Sequence, residues 1–348
     1  MRFVLGFVAA AASLLAGCGE GAGGGSTSAV RPIKIVGSST VYPFTTAVAE
    51  QFARANPSFG SPTVESTGTG AGIKLFCAGV GINHPDVVNA SRRMKASEAE
   101  QCAANGVTRI VELPVGIDGL AIVESNAARP FRLTVQQLYE ALAKEPYGKP
   151  QTAQTWADID PSLPATRIQV YGPPPTSGTR DSLAEIILTK GCDANPDMKA
   201  LKASNEDRHK AICTTIREDG AFIEAGENDN LLIQKVTANP GALGVLGYSF
   251  LERNTDKVRG VPLDGVTPTI ATISDFSYPG ARPLYVYVKG EHLDAIPGLK
   301  PFVAEYAKAW NPDGYLSRRG LISSPEEARA KAAATAASLA PLDRAELK

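Results

Sequence analysis

The chain has 348 residues, with 35 basic against 36 acidic side chains and a net charge of −1. That balance supplies no broad positive field and argues against binding to the phosphate backbone of nucleic acid. With 43% hydrophobic and 20% charged residues the composition is globular rather than disordered, and the length allows two domains of about 100–200 residues each. The three histidines (His84, His209, His292) are scattered, with no HExxH and no CxxC, so no metal and no cofactor are expected.

Arg2 precedes a mostly apolar run from Phe3 to Ala16, shorter than the roughly 20 residues a bilayer span needs. It reads as the core of a secretory signal. The run closes on Leu15-Ala16-Gly17-Cys18, which resembles the lipobox of bacterial lipoproteins. That resemblance implies removal of residues 1–17 as a signal peptide and lipidation of Cys18. It places the protein in the periplasm or at the cell surface, held to a membrane through the lipid only. No aspartate follows Cys18, which favours the outer membrane. Residues 18–30 are then the lipidated cysteine and a Gly/Ser tether. Four cysteines are left, Cys77, Cys102, Cys192 and Cys213. In an exported chain an even count favours disulfides, and four cysteines allow three pairings. Sequential pairing, Cys77–Cys102 and Cys192–Cys213, closes two local loops and is the expectation.

In the body, Ile33 to Val36 reads as a short buried strand ended by Gly37, and Thr45 to Arg54 as a helix stopped by Pro57. A second strand is expected over 62–66, a glycine-rich turn over 68–72, and a helix start over 73–78. Val87 to Ala90 is a third strand and 96–105 a helix. Strand–helix alternation of this kind predicts an α/β fold with a largely parallel sheet. The apolar run from Gly116 to Val123 suggests a crossing strand, followed by a helix over 134–143, a strand over 168–171 and a helix over 177–188. Gly241 to Tyr248 and Pro283 to Lys289 complete the strands, the latter as a returning strand. Helices are expected over 301–310 and, in the Ala-rich tail, over 325–339.

Three segments place small hydroxyl and glycine residues between a strand and a helix: Gly37-Ser38-Ser39-Thr40, Thr67-Gly68-Thr69-Gly70-Ala71-Gly72 and Thr176-Ser177-Gly178-Thr179-Arg180. Glycine lets the backbone come close, and the free amides of a helix start favour an anion. Hydroxyls add short donors. With a fourth polar cluster at Ala90-Ser91-Arg92-Arg93, the pattern points to a convergent oxyanion pocket.

GSSTVYPF, GTGAGIKLFCAG, NASRRM, CAANGV, IDGLAIV, TSGTRD and GALGVLGYSF stand in this order. Together they resemble the phosphate-binding proteins of bacterial ABC importers, in their GSST-type branch, over residues 33 to 322. The resemblance implies a type II periplasmic binding fold, two α/β lobes joined by two crossover strands. Residues 31–116 with 283–348 would form lobe 1 and residues 117–282 lobe 2. It implies a non-enzymatic, monomeric protein that takes inorganic phosphate and passes it to an ABC permease and its ATPase. Ser39 and Thr40 would donate to phosphate beside the amides of Val41 and Tyr42. Thr69 falls on the second loop, Ser91 and Arg92 on the third, and Ser177, Gly178 and Thr179 on the helix start of the second lobe. The same likeness makes Cys77–Cys102 a family-like disulfide.

Two positions depart from the better-studied members. Where they place an aspartate that accepts the proton of monohydrogen phosphate, this chain has Arg92, a pure donor. Where they carry an arginine four residues before the SGT serine, it has Pro173, and Arg180 would replace that charge. Asp118 and Asp229 are the candidate acceptors. Phosphate binding survives these departures, but rejection of sulfate or arsenate does not follow. A broader oxyanion receptor, a binder of phosphorylated ligands, and a scavenging surface lipoprotein without a permease are the alternatives. A hydrolase would need an activated nucleophile, and Ser177 lies in no GxSxG.

Overall fold

The computed structural model describes residues 31–226 and 228–347. The expected signal peptide, Cys18 and the tether to residue 30 lie outside the described residues. Among the described residues no helix is long and apolar enough to cross a membrane.

Nine strands are present among the described residues: β1 (Lys34–Gly37), β2 (Thr63–Ser66), β3 (Val87–Ala90), β4 (Ile110–Ser125), β5 (Val170–Gly172), β6 (Phe222–Glu224), β7 (Leu243–Gly247), β8 (Val258–Gly260) and β9 (Ala281–Lys289). They run β2-β1-β3-β9-β4-β7-β5-β6, with β8 beside β4. β1 is parallel to β2 and β3, and β5 is parallel to β6 and β7. The two middle strands break the parallel rule: β9 is antiparallel to β3 and β4, and β4 is antiparallel to β7. The expectation of a largely parallel sheet therefore holds for each half but not for the seam. A chain that crosses to a second half and returns must run both ways there, which two opposed long strands satisfy.

β4 is longer than the apolar run at 116–123 suggested. It is one ribbon of 16 residues, irregular between Pro114 and Gly116. Its pairing with β9 sets Asp118 directly opposite Arg282. Buried side chains of residues 117–278, joined by Ile322, form one hydrophobic cluster. Residues 33–115 and 284–347 form two others.

The helix Tyr42–Ala55 starts three residues earlier than its apolar spacing suggests, with Pro43 in its first turn. Pro is tolerated there because the first-turn amides have no partner within the helix. It buries Val48 and Phe52, and Phe52 meets the ring of Phe302 edge-on at 5.6 Å. Truncating such a ring costs about 3–5 kcal/mol. The glycine-rich stretch 68–72 is not a turn but mostly helix: Thr69–Phe76 is helical, with Gly68 as its N-cap. The reason is packing. A β-carbon on Gly72 would lie 2.5 Å from the α-carbon of Gly37, and Gly37 itself has φ +128° with Asn89 pressed against it. The first turn of this helix can therefore lie directly on the end of β1.

After β5, helix runs from Gly178 to Cys192, with a π-helical stretch at Leu183–Leu188. π-stretches often accompany functional sites, because the extra residue per turn re-aims side chains. Both sequential disulfides are present, Cys77–Cys102 and Cys192–Cys213.

Candidate oxyanion site at the strand crossover

The loop after β1 delivers Ser39 and Thr40, the loop after β3 delivers Ser91, and the helix after β5 delivers Gly178, Asp181, Ser182 and Glu185. All three meet over the paired strands β4 and β9. At their centre is Arg282, 11% exposed at the side chain. Its Nε donates to Asp118 Oδ2 at 3.2 Å and its Nη1 to Glu185 Oε2 at 2.7 Å. Its Nη2 donates to Thr40 Oγ1 and to Ser182 Oγ, each at 2.9 Å. One guanidinium thus contacts the loop after β1, the crossover and the helix after β5, a use of all three nitrogens that lysine could not reproduce.

The network extends both ways. Ser182 Oγ donates to Asp118 Oδ2 at 2.7 Å. Ser91 Oγ donates to Glu185 Oε2 at 3.3 Å and lies 2.9 Å from Thr69 Oγ1, which also accepts from the amide of Ser91 at 3.0 Å. Ser39 Oγ donates to Asp181 Oδ2. Thr40 Oγ1 lies 3.4 Å from the carbonyl of Gly178. A β-carbon on Gly178 would stand 3.0 Å from the α-carbon of Thr40, so glycine is what lets the two backbones meet. Ser177 caps its helix, its Oγ accepting from the amide of Thr179 at 3.2 Å.

Beside this network a cavity of about 360 Å³ is lined by Ser39, Gly68, Arg180, Asp181, Glu185 and Lys210, among others. Burial pushes the Asp181 carboxyl up, and Glu185 adds to the shift against the Ser39 hydroxyl, which draws it down.

The structure thus brings together Ser39, Thr40, Thr69, Ser91, Asp118 and the Gly178 turn. Val41 is fully buried, and the Tyr42 amide donates to the Ser38 carbonyl at 3.0 Å within its own helix start. Arg92 is drawn elsewhere. Its two terminal nitrogens clasp Glu98 at 2.9 and 2.7 Å, in the first turn of the helix Ala96–Ala104. The Glu98 hydrogen bond holds the guanidinium above its ordinary range.

Arg180 lies 4.2 Å over the Phe222 ring and donates to the Pro173 carbonyl at 3.2 Å, with Glu224 at 3.8 Å. Burial draws its pKa down. Asp229 opens the helix Asp229–Ala238, where burial lifts its carboxyl to about 6. It makes no hydrogen bond to the Arg282 network.

Four network members were missing from the sequence reading of the site: Asp181, Ser182, Glu185 and Arg282. The first three follow the SGT segment, and Asp181 and Glu185 stand four residues apart on one helical face. Arg282 carried no local signal. It sits just before the apolar stretch of a strand, and only the register with β4 brings it to the site.

The model of the PBP superfamily domain matches residues 22–309. Among curated relatives, protein SphX of Synechococcus elongatus is 32% identical over 299 residues, covering 84% of this chain and 77% of its own. The phosphate-binding protein PstS of Staphylococcus saprophyticus is 33% identical over 310 residues, covering 86% and 83%. Among solved structures, a possible phosphate binding protein from Planctomyces limnophilus superposes with a TM-score of 0.72 at 29% identity, over 89% of this chain and 99% of its own. An ABC-type phosphate transport receptor from Vibrio cholerae shares the fold, with a TM-score of 0.57 at 22% identity, over 83% and 99%. With its type II fold and these relatives, the chain belongs to the PBP superfamily, in the family of phosphate substrate-binding proteins.

Proposed function

We propose that this protein binds inorganic phosphate outside the cytoplasm and delivers it to an ABC permease, as a binding protein and not as an enzyme. The observation that carries the reading is the convergence of three hydroxyl-bearing loops on Arg282. Arg282 would supply the positive charge that Pro173 no longer does and that Arg92, clasped by Glu98, does not bring. Ser39, Thr40, Thr69, Ser91, Ser177, Gly178 and Thr179 would supply neutral donors around the anion. Because the loop after β1 and the helix after β5 both contribute, an anion held between them favours their approach, and closure follows from that differential affinity.

A carboxylate in the pocket accepts the proton of monohydrogen phosphate and repels fully ionised sulfate. Asp181, on the cavity wall against Ser39, is placed for that role, while Asp118 is engaged by Ser182 and Arg282. The two lobes would comprise residues 31–116 with 283–348 and residues 117–282, a division supported by the hydrophobic clusters that meet at β4 and β9. Lipidation of Cys18 would anchor a monomer, with the outer membrane favoured by the residues after the cysteine.

Calorimetric titration of ligand-stripped protein with phosphate and then sulfate tests the reading. Saturable heat with phosphate and none with sulfate is expected, and Asp181→Asn should admit sulfate. Equal binding of both anions by the unaltered protein would make it a broader oxyanion receptor, and no heat with either would overturn the phosphate reading.

A further inference from the structure

Away from the site, the second disulfide has a neighbour that the first lacks. Cys192 ends the helix Thr189–Cys192, and His209 and Cys213 stand four residues apart on the helix Glu206–Thr214, on one face. One ligand atom from each lies within 4.8 Å of the others, and all three residues are buried. The imidazole is oriented from behind: His209 Nε2 lies 2.7 Å from Asp193 Oδ1, whose other oxygen accepts from Lys202 Nζ at 2.5 Å. Nδ1 is then the nitrogen left for a further partner. A carboxylate holding the far nitrogen of an imidazole is the usual outer support of a metal-bound histidine. Among the described residues no other group of three such side chains occurs, so Cys77–Cys102 has no equivalent.

We propose that Cys192, Cys213 and His209, with Asp193 behind the imidazole, form a binding site for zinc-class divalent cations whenever their disulfide is reduced. One buried position is thus held either by a sulfur–sulfur bond or by a metal. Zinc sits about 2.0–2.3 Å from such ligands, which sets them about 3–4 Å apart in a tetrahedron. The sulfurs must part and the histidine must close by about an ångström. A dithiol reductant breaks the bond, itself oxidised to a disulfide, and leaves two thiols. The cation then replaces the two thiol protons, which pass to water, and a water molecule completes four ligands. While the cation is bound, the sulfurs cannot re-form their bond, so the metal protects the reduced form. The inference is independent of the phosphate reading.

The test uses the full chain reduced with a water-soluble phosphine, which takes an oxygen from water as the two sulfurs take its hydrogens. Cobalt(II) is the probe, because thiolate ligation gives a near-ultraviolet charge-transfer band and four-coordination gives intense visible bands. One cobalt per chain is expected after reduction, displaced by zinc, and none before it. Cys192→Ser or Cys213→Ser should abolish the charge-transfer band at one equivalent. Asp193→Asn should weaken binding about 10–100-fold, and His209→Ala, which removes a ligand outright, by at least as much. Paired replacement of Cys77 and Cys102 by Ser should leave the signal unchanged. Circular dichroism monitors the fold; if the cysteine variants lose it, His209→Ala and Asp193→Asn, which keep the disulfide, decide. A reduced protein without the cobalt bands, an affinity unchanged in His209→Ala, or a signal that follows Cys77 and Cys102 would overturn the proposal.

Discussion

Arg92 and Arg282 offer two ways for a guanidinium to sit near an oxyanion site. Arg92 follows Ser91, inside a loop that looks built for an anion, yet it clasps Glu98 and its side chain is 37% exposed. Arg282 lies 190 positions further along the chain, at the start of β9, and is bonded to Asp118, Glu185, Thr40 and Ser182. What separates them is the partner each finds. The helix Ala96–Ala104 sets a carboxylate in its first turn within reach of Arg92, which satisfies the charge locally. The strand register instead aims Arg282 into the meeting point of three loops, where several acceptors compete for it.

That contrast predicts a large difference in stability. Arg282→Ala removes the donor shared by Asp118, Glu185 and two hydroxyls and leaves carboxylates facing one another. A loss of about 2–4 kcal/mol is expected in urea unfolding. A loss below about 0.5 kcal/mol would mean that water replaces the guanidinium without penalty, and the network would be a surface feature.

The proposed donors of the SGT turn sharpen the comparison. Ser177→Ala and Thr179→Ala should each weaken phosphate binding by about 1–3 kcal/mol, because the anion is left short of a donor or of the capped turn that presents one. Unchanged calorimetric affinity in both variants would place the anion away from the SGT turn.

Asp229 supplies a control carboxylate outside the network. Burial raises its folded-state pKa to about 6, above the roughly 3.9 of an unfolded aspartate. Between those values the folded state holds more protons, so this group's contribution to stability falls as pH rises from about 4 through 6. Asp229→Asn should flatten that slope and stabilise the protein by about 1–2 kcal/mol at pH 7, less whatever the charge contributes at its helix start. Urea midpoints across pH 4–7 check it, and a parallel shift at every pH would contradict the assignment.

The smallest effect belongs to Arg92. Its pair with Glu98 is partly exposed, so Arg92→Gln should cost only about 0.5–1 kcal/mol in unfolding free energy.

These contrasts also separate what the sequence made legible from what it did not. The apolar pattern placed seven of the nine strands but not the three-residue strands Phe222–Glu224 and Val258–Gly260, which are too short to carry a pattern. Ser39, Thr69, Ser91 and Gly178 were legible too: small residues between strand and helix have few other uses in such number. Arg282 was not, since its role comes from pairing Ala281–Lys289 against Ile110–Ser125, a contact across more than 160 residues. The same locality makes Arg92 read as a pocket donor, while the structure pairs it with Glu98. Its partner Glu98 lies six residues on, in the first turn of the next helix. The glycines at 68–72 suggest a turn, but close packing on Gly37 holds Thr69–Phe76 helical against glycine's low helix preference.

The most direct test of the central claim is phosphate titration of Arg282→Gln beside Arg92→Gln, each confirmed folded. The account predicts at least a hundredfold loss of affinity, about 2.7 kcal/mol, for the first and less than a threefold change for the second. The reverse order, with Arg92 carrying the loss and Arg282 dispensable, would contradict it.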